Sequence, residues 1–285
     1  VIRAAVFCLG AMLAMPALAA GTRYQLLTAD DSSVTRRIAE DLDRRLGPIF
    51  AEAAFSKRRD LCVAIGPAAL REAIMHQPKC TLLAAYTSSQ VWRALVAGLP
   101  PARAASMSVI YGEPGPAEQL KLVALLYKRP VRIATIVGAD TSFLKPILQG
   151  STEVEEYVQG DDINVVLNRV GKADVLLATP DSTVYNTENI RNILLSTYRH
   201  NQGVIGFSAD MVKAGALAST YSDIADINAQ VAEIARDYLY TGELPGAQFP
   251  RYFSTIVNIG VAKSLNVEPN LNARSFERRP PLVKP

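Results

Sequence analysis

Short apolar runs separated by longer amphipathic stretches constrain this chain more than any other feature. Runs rich in Val, Ile, Leu and Ala recur at residues 24–28, 61–65, 81–86, 108–111, 131–137, 153–158, 174–178, 204–207 and 217–221, and each ends in Gly, Pro, Ser, Thr or Asp. That pattern predicts parallel strands buried on both faces. Between them lie segments with helical periodicity, such as 34–46, 117–127, 187–198 and 224–240, several opened by capping residues (Ser33, Ser222) or a proline turn (Pro114, Pro116). Strand and helix in alternation imply an α/β architecture with right-handed crossovers. Nine such strands exceed one compact sheet of typical size, so the expectation is two doubly wound parallel-sheet lobes. The natural division falls at Tyr127-Lys128-Arg129-Pro130, giving lobes over 21–127 and 128–221. An irregular connection rich in Gly and Pro leads to a last strand at 253–257 and a short helix ending at Leu265. The polar, proline-rich residues 268–285 are expected to form a mobile tail.

The first twenty residues give an address. Arg3 precedes an apolar run from Ala4 to Met15, followed by Ala17-Leu18-Ala19, a small-x-small cleavage signature. The run is too short to span a bilayer, which needs about 20 apolar residues, so residues 1–20 read as a signal peptide and the product as a soluble periplasmic protein. The net charge of +3 is spread without a basic block beyond short runs such as Lys57-Arg58-Arg59, which argues against nucleic acid as a partner. Cys62 and Cys80 remain after cleavage, and an oxidising compartment permits them to pair. Both stand near the starts of consecutive predicted strands, about 5 Å apart in a sheet, within disulfide reach. The alternative is two reduced, buried cysteines acting as small hydrophobes.

In open parallel sheets ligands bind beyond the carboxyl ends of the strands. The loops there include Thr87-Ser88-Ser89, Gly112-Glu113-Pro114, Gly138-Ala139-Asp140-Thr141, Thr179-Pro180-Asp181-Ser182, Ser208 and Ser222, with Tyr86, Tyr111, Tyr185, Asn186, Phe207 and Tyr221 close by. Hydroxyls, carboxylates and aromatic rings together suit a ligand with a polar handle and a flat apolar body. Any single Ser, Thr or Asp in such a loop is first of all a helix cap. Around Asp181, where Tyr185 and Asn186 crowd the same loop, ligand contact is favoured. Catalytic readings fail. Gly206-Phe207-Ser208-Ala209-Asp210 lacks the second glycine of a nucleophile elbow, and no histidine follows it. His76 and His200 have no companion at metal-ligand spacing, and no phosphate-binding glycine loop occurs. No enzymatic activity, cofactor or metal is expected.

The stretch Ala173-Asp174-Val175-Leu176-Leu177-Ala178-Thr179-Pro180-Asp181-Ser182, then Val184-Tyr185-Asn186, Ile193-Leu194-Leu195, Tyr198-Arg199, Val204-Ile205-Gly206-Phe207-Ser208 and Ala214-Gly215-Ala216-Leu217-Ala218, resembles the ABC-transporter substrate-binding family that includes tryptophan-binding members. Pro250, Phe253-Ser254, Asn258, Val261-Ala262 and Leu265 extend the resemblance over most of residues 106–267. It implies a type I periplasmic binding-protein fold, two lobes that close like a hinge on a small molecule. It also implies that residues 222–243 return to the first lobe and 251–267 to the second. The ligand would lie between Tyr86, Thr87, Ser88 and Tyr111 on one side and Asp140, Thr141, Asp181, Ser182, Tyr185, Asn186, Phe207, Ser208 and Tyr221 on the other. Asp140 or Asp181 would accept from the amino group of an amino acid or aromatic amine. The expected partner is a membrane permease, or alternatively a membrane sensor on which a periplasmic adaptor docks, with the protein itself a monomer.

Overall fold

The computed structural model describes residues 23–53, 59–269 and 271–281. The expected leader lies outside the described residues. The first sheet contains β1 (Tyr24–Leu27), β2 (Leu61–Ile65), β3 (Thr81–Thr87) and β4 (Met107–Tyr111), parallel throughout and ordered β1-β2-β3-β4. The second contains β5 (Ile133–Val137), β6 (Glu153–Glu156), β7 (Val175–Leu177), β8 (Gly203–Ile205), β9 (Ala218–Tyr221) and β10 (Ser254–Val257), ordered β10-β9-β8-β7-β5-β6, with β10 antiparallel to β9. The continuous run Leu61-Cys62-Val63-Ala64-Ile65 is buried at every position, because helices cover both faces of the sheet. Among the described residues no helix is long and apolar enough to cross a membrane.

The faces are assigned by residue parity. α1 (Ser33–Glu52) and α10 (Ile224–Thr241) pack on Leu61, Val63, Ile65, Leu83 and Ile110. α2 (Gly66–His76) and α3 (Ser89–Val96) pack on the alternate residues Cys62, Ala64, Leu82, Ala84 and Val109, and the short α4 (Pro101–Ala104) leads into β4. The chain steps the same way from β1 to β2 and from β2 to β3, yet α1 and α2 lie on opposite faces. These two crossovers therefore have opposite hands, and one of them departs from the right-handed rule. The second lobe shows why. There the chain steps outward from β5 to β6 through α6 (Lys145–Leu148) on one face, then back across β5 to β7 through α7 (Ile163–Val170) on the other. Reversal of step and of face together preserves the hand. Among the described residues the first lobe shows no counterpart of β6 and α7, and its opening crossover runs on to β2.

α5 (Pro116–Tyr127) belongs to the second lobe, since Leu122, Val123 and Leu126 are buried with Val137, Leu177, Ile205 and Leu217. The first crossing between lobes is thus Gly112-Glu113-Pro114-Gly115, ahead of the division expected after Tyr127. α10 returns to the first lobe behind a capping box in which Asp223 and Asp226 satisfy each other's backbone N–H groups. Residues 242–253 then pass Gln248 alongside β4, where Tyr111 N donates to Gln248 O (2.9 Å) and Gln248 N to Val109 O (3.0 Å), before β10 joins the second sheet. α8 (Asn189–Arg199), α9 (Ala209–Ala214), α11 (Ile259–Ser264) and α12 (Leu271–Arg274) complete that lobe.

The described part of the tail, through Pro281, is packed rather than mobile. Ala273 is fully buried, Phe276 stacks on Phe253 at 5.1 Å, and Phe253 and Arg278 exchange backbone hydrogen bonds of 2.9 and 3.0 Å. Arg279 bonds Ser254 in the second lobe while pairing with Asp223 (3.2 Å) and Asp226 (3.1 Å) at the head of α10. Polar composition misled the expectation because a few anchors, Phe276 and Arg279 above all, are enough to hold an otherwise solvated segment.

Candidate functional site

The carboxyl ends of the two sheets face each other, and α3 shows it most directly. With its amide turned to present nitrogen, Gln90 donates to Pro180 O (3.0 Å) and Asp140 Oδ2 (2.7 Å) across the lobes. One turn on, the Arg93 guanidinium lies 4.3 Å from the centre of the Phe143 ring, a cation–π contact. On the second-lobe side a cavity of about 20 Å³ is lined by the crossing residues Pro114 and Phe249 together with Pro116, Thr179, Pro180 and Phe207. A single water needs roughly 10–15 Å³, so this cavity has room for little more than one.

On the second lobe the polar loop residues hold one another. Asp181, 1 % exposed, receives Gly138 N (2.9 Å), Thr141 N (3.1 Å) and Thr141 Oγ1 (2.8 Å) on Oδ2, and Thr183 N (3.0 Å), Thr183 Oγ1 (2.6 Å) and Val184 N (3.3 Å) on Oδ1. Burial pushes this carboxyl up, but the donors outweigh it and hold the group below the ordinary aspartate value. Both oxygens are committed, and Asp181 ties the loop after β5 to the loop after β7. Gly138 is required by the same knot: a Cβ there would stand 2.5 Å from Thr183 Oγ1 and 2.6 Å from Asp181 Oδ1. Asp140 Oδ2 accepts from Ser182 N (3.2 Å) and Ser182 Oγ (2.5 Å) beside Gln90. Asn186 Oδ1 accepts from Glu188 N and Asn189 N at the start of α8, and Ser208 caps α9 through Met211 N. Tyr185 stands edge-on to Phe207 with ring centres 5.8 Å apart. Its hydroxyl is buried without a partner, and burial pushes the phenol up. Tyr221, half-buried, ends β9 opposite Ser254.

On the first lobe Tyr86 sits at a register shift between Ala85 and Thr87 with φ +60°, a left-handed conformation uncommon for a bulky residue. The shift sends its hydroxyl to Asn228 Oδ1 (2.7 Å) and Ile224 O (3.3 Å) on α10. Thr87 is fully buried and Ser88 caps α3 through Val91 N. Tyr111 packs edge-on to Phe249 at 5.1 Å. Cys62 and Cys80 are bridged, with Cα atoms 5.7 Å apart, tying the starts of β2 and β3.

Several residues of this region were not singled out in the sequence. Gln119 on α5 donates to Gly206 O (2.6 Å) and accepts from Thr220 N (3.0 Å), which locks α5 to β8 and β9. Glu113, on the first crossing, is 4 % exposed, and its Oε1 accepts from Ser89 N at 2.8 Å. Its place in a strand-end loop was the available signal. Phe249 and Gln90 carried none, since one lies in an irregular connection and the other inside a helix.

No protein-family model matches the chain, and no curated protein does. Solved structures do. The ligand-free, open structure of CD0873, a substrate-binding protein with adhesive properties from Clostridium difficile, aligns over 91 % of this chain and 99 % of its own at 15 % identity and TM-score 0.62. A domain from Streptococcus pneumoniae in complex with L-Trp aligns over 90 % and 99 % at 14 % identity and TM-score 0.53. A conserved domain protein from Vibrio cholerae gives 90 % and 99 % at 15 % identity and TM-score 0.53. At these identities the likeness speaks to the fold, and with the facing sheet edges and repeated crossings it is decisive there: the chain has the type I periplasmic binding-protein fold.

Proposed function

We propose that this protein is the solute-binding component of an ABC-type uptake system in the periplasm, capturing a small molecule between its lobes and presenting it to a membrane permease. The carrying observation is the pair of sheets whose carboxyl ends face each other and are bridged by Gln90 to Asp140 and Pro180. Contacts of that kind, two hydrogen bonds and one exposed-edge cation–π pair, are each worth about 1 kcal/mol, weak enough for a ligand to exchange with them. The L-Trp complex of the pneumococcal structure supports an amino acid or aromatic amine as ligand. The disulfide supports an oxidising compartment.

The test is native mass spectrometry of the full chain, recovered from the periplasm of an expressing bacterium and mixed with a panel of amino acids, amines, organic acids and sugars. One-to-one complex formation with a member of the panel is expected. A protein retained in the cytoplasm with an uncleaved leader, or one that retains no solute of any class, would contradict the reading.

A further inference from the structure

Glu113 and Ser89 stand out among the buried polar groups. Glu113 Oε1 is satisfied by Ser89 N, but among the described residues Glu113 Oε2 and Ser89 Oγ are both buried and make no hydrogen bond of good geometry. A half-satisfied carboxylate inside a protein is costly, and burial pushes this carboxyl up against the contacts with Ser89 that pull it down. By contrast, Asp181 has six donors and Asp140 is engaged by Ser182 and Gln90. Asp226 also keeps one buried oxygen without a partner but is paired with Arg279, whereas Glu113 is nearly fully buried and has no ion pair among the described residues. Its position matters too. It lies on the crossing between the lobes, against the first turn of α3, the helix whose next residue touches the second lobe. Its chain neighbour Pro114 lines the small cavity with Phe207 and Phe249, whose walls are apolar.

We infer that Glu113, with Ser89 Oγ beside it, is the acceptor for a protonated amine, and that the ligand is a primary amine whose apolar body lies against Phe207 and Phe249. This inference rests on the reading of the cleft as the solute site. An ammonium group supplies three donors, enough for Oε2 and Oγ together, and its charge turns the buried carboxylate from a liability into half of an ion pair. A neutral solute could give Oε2 a hydrogen bond but no compensating charge, and an anionic one would be repelled by it. The apolar walls exclude ligands polar at both ends, such as free sugars.

The experiment pairs amines with matched acids that lack the amine: tryptamine with indole-3-propionate, phenethylamine with 3-phenylpropionate, and L-tryptophan with indole-3-lactate. Calorimetry on the full chain is expected to show binding to at least one amine and none to its partner acid. Glu113→Gln keeps the side-chain shape and an acceptor for Ser89 N, so thermal stability serves as the check on folding. At unchanged melting temperature its affinity for the bound amine is expected to fall roughly 30-fold or more, with a smaller loss for Ser89→Ala. Equal binding of amine and acid, or amine affinity unaltered in Glu113→Gln, overturns the assignment. If no amine binds but an acid or a sugar does, inter-lobe capture stands and the assignment to Glu113 falls. If no solute of any class binds, both fall.

Discussion

Asp181 binds the loops after β5 and β7 into one knot through six hydrogen bonds to its carboxylate. Polar crowding after Val175-Leu176-Leu177-Ala178 was legible, and the loop does sit at the facing edge. Which way the carboxylate turns was not, because six donors converge on it from residues 138–141 and 183–184, far apart in sequence. Asp181→Ala removes the acceptor from buried N–H groups and is expected to cost about 2–4 kcal/mol, read by denaturant unfolding. The sign of its pH dependence follows from the lowered folded value. The stabilisation is present above the unfolded aspartate value, about 3.9, and is lost as pH falls through the folded one. Asp181→Asn therefore flattens the acid limb of the stability curve, and an unchanged limb would remove Asp181 from the account. Gly138→Ala is expected to be comparably harmful, since its Cβ meets Asp181 and Thr183 oxygens inside 3 Å.

Elements were most legible where burial is two-sided and least where packing overrides local signals. The run 61–65 is a strand end to end because every side chain meets a helix. The expected helix 34–46 instead runs to Glu52 through Gly47-Pro48, because Ile49 and Phe50 are buried in the first core and outweigh the missing hydrogen bond at Pro48. The disulfide between β2 and β3 is expected to contribute about 3 kcal/mol, so a Cys62→Ser, Cys80→Ser double variant should unfold at correspondingly lower denaturant. An unshifted midpoint would mean the bridge adds nothing. The tail joins both lobes through Arg279, whose partner Asp226 has a fully buried side chain and is pushed up by that burial. Arg279→Ala leaves Asp226 without its cation, and a loss of about 1–3 kcal/mol is expected, measured by thermal unfolding.

At the scale of the molecule, two α/β lobes were readable from the count and spacing of strands, and their resemblance to binding proteins from residues in the second lobe. The hinge was not readable in detail. α5 follows a glycine-proline crossing, yet its allegiance is decided by Leu122, Val123 and Leu126, which fit the second core, and no local pattern says which of two cores an amphipathic helix chooses. Among the described residues the first lobe shows no counterpart of β6 and α7, and no residue pattern in the sequence marks which unit it does without. The proposed capture needs the molecule to open: Gln90 bridges the lobes to Asp140 and Pro180, so entry of a solute between them requires that these contacts break and form again. The direct measurement uses a Gln90→Cys, Asp140→Cys variant, either joined by a short bifunctional maleimide or capped at each thiol with N-ethylmaleimide, and native mass spectrometry against the solute panel. The capped protein should take up solute and the joined protein should exclude it. Equal uptake by both would place the ligand outside the cleft and contradict the account.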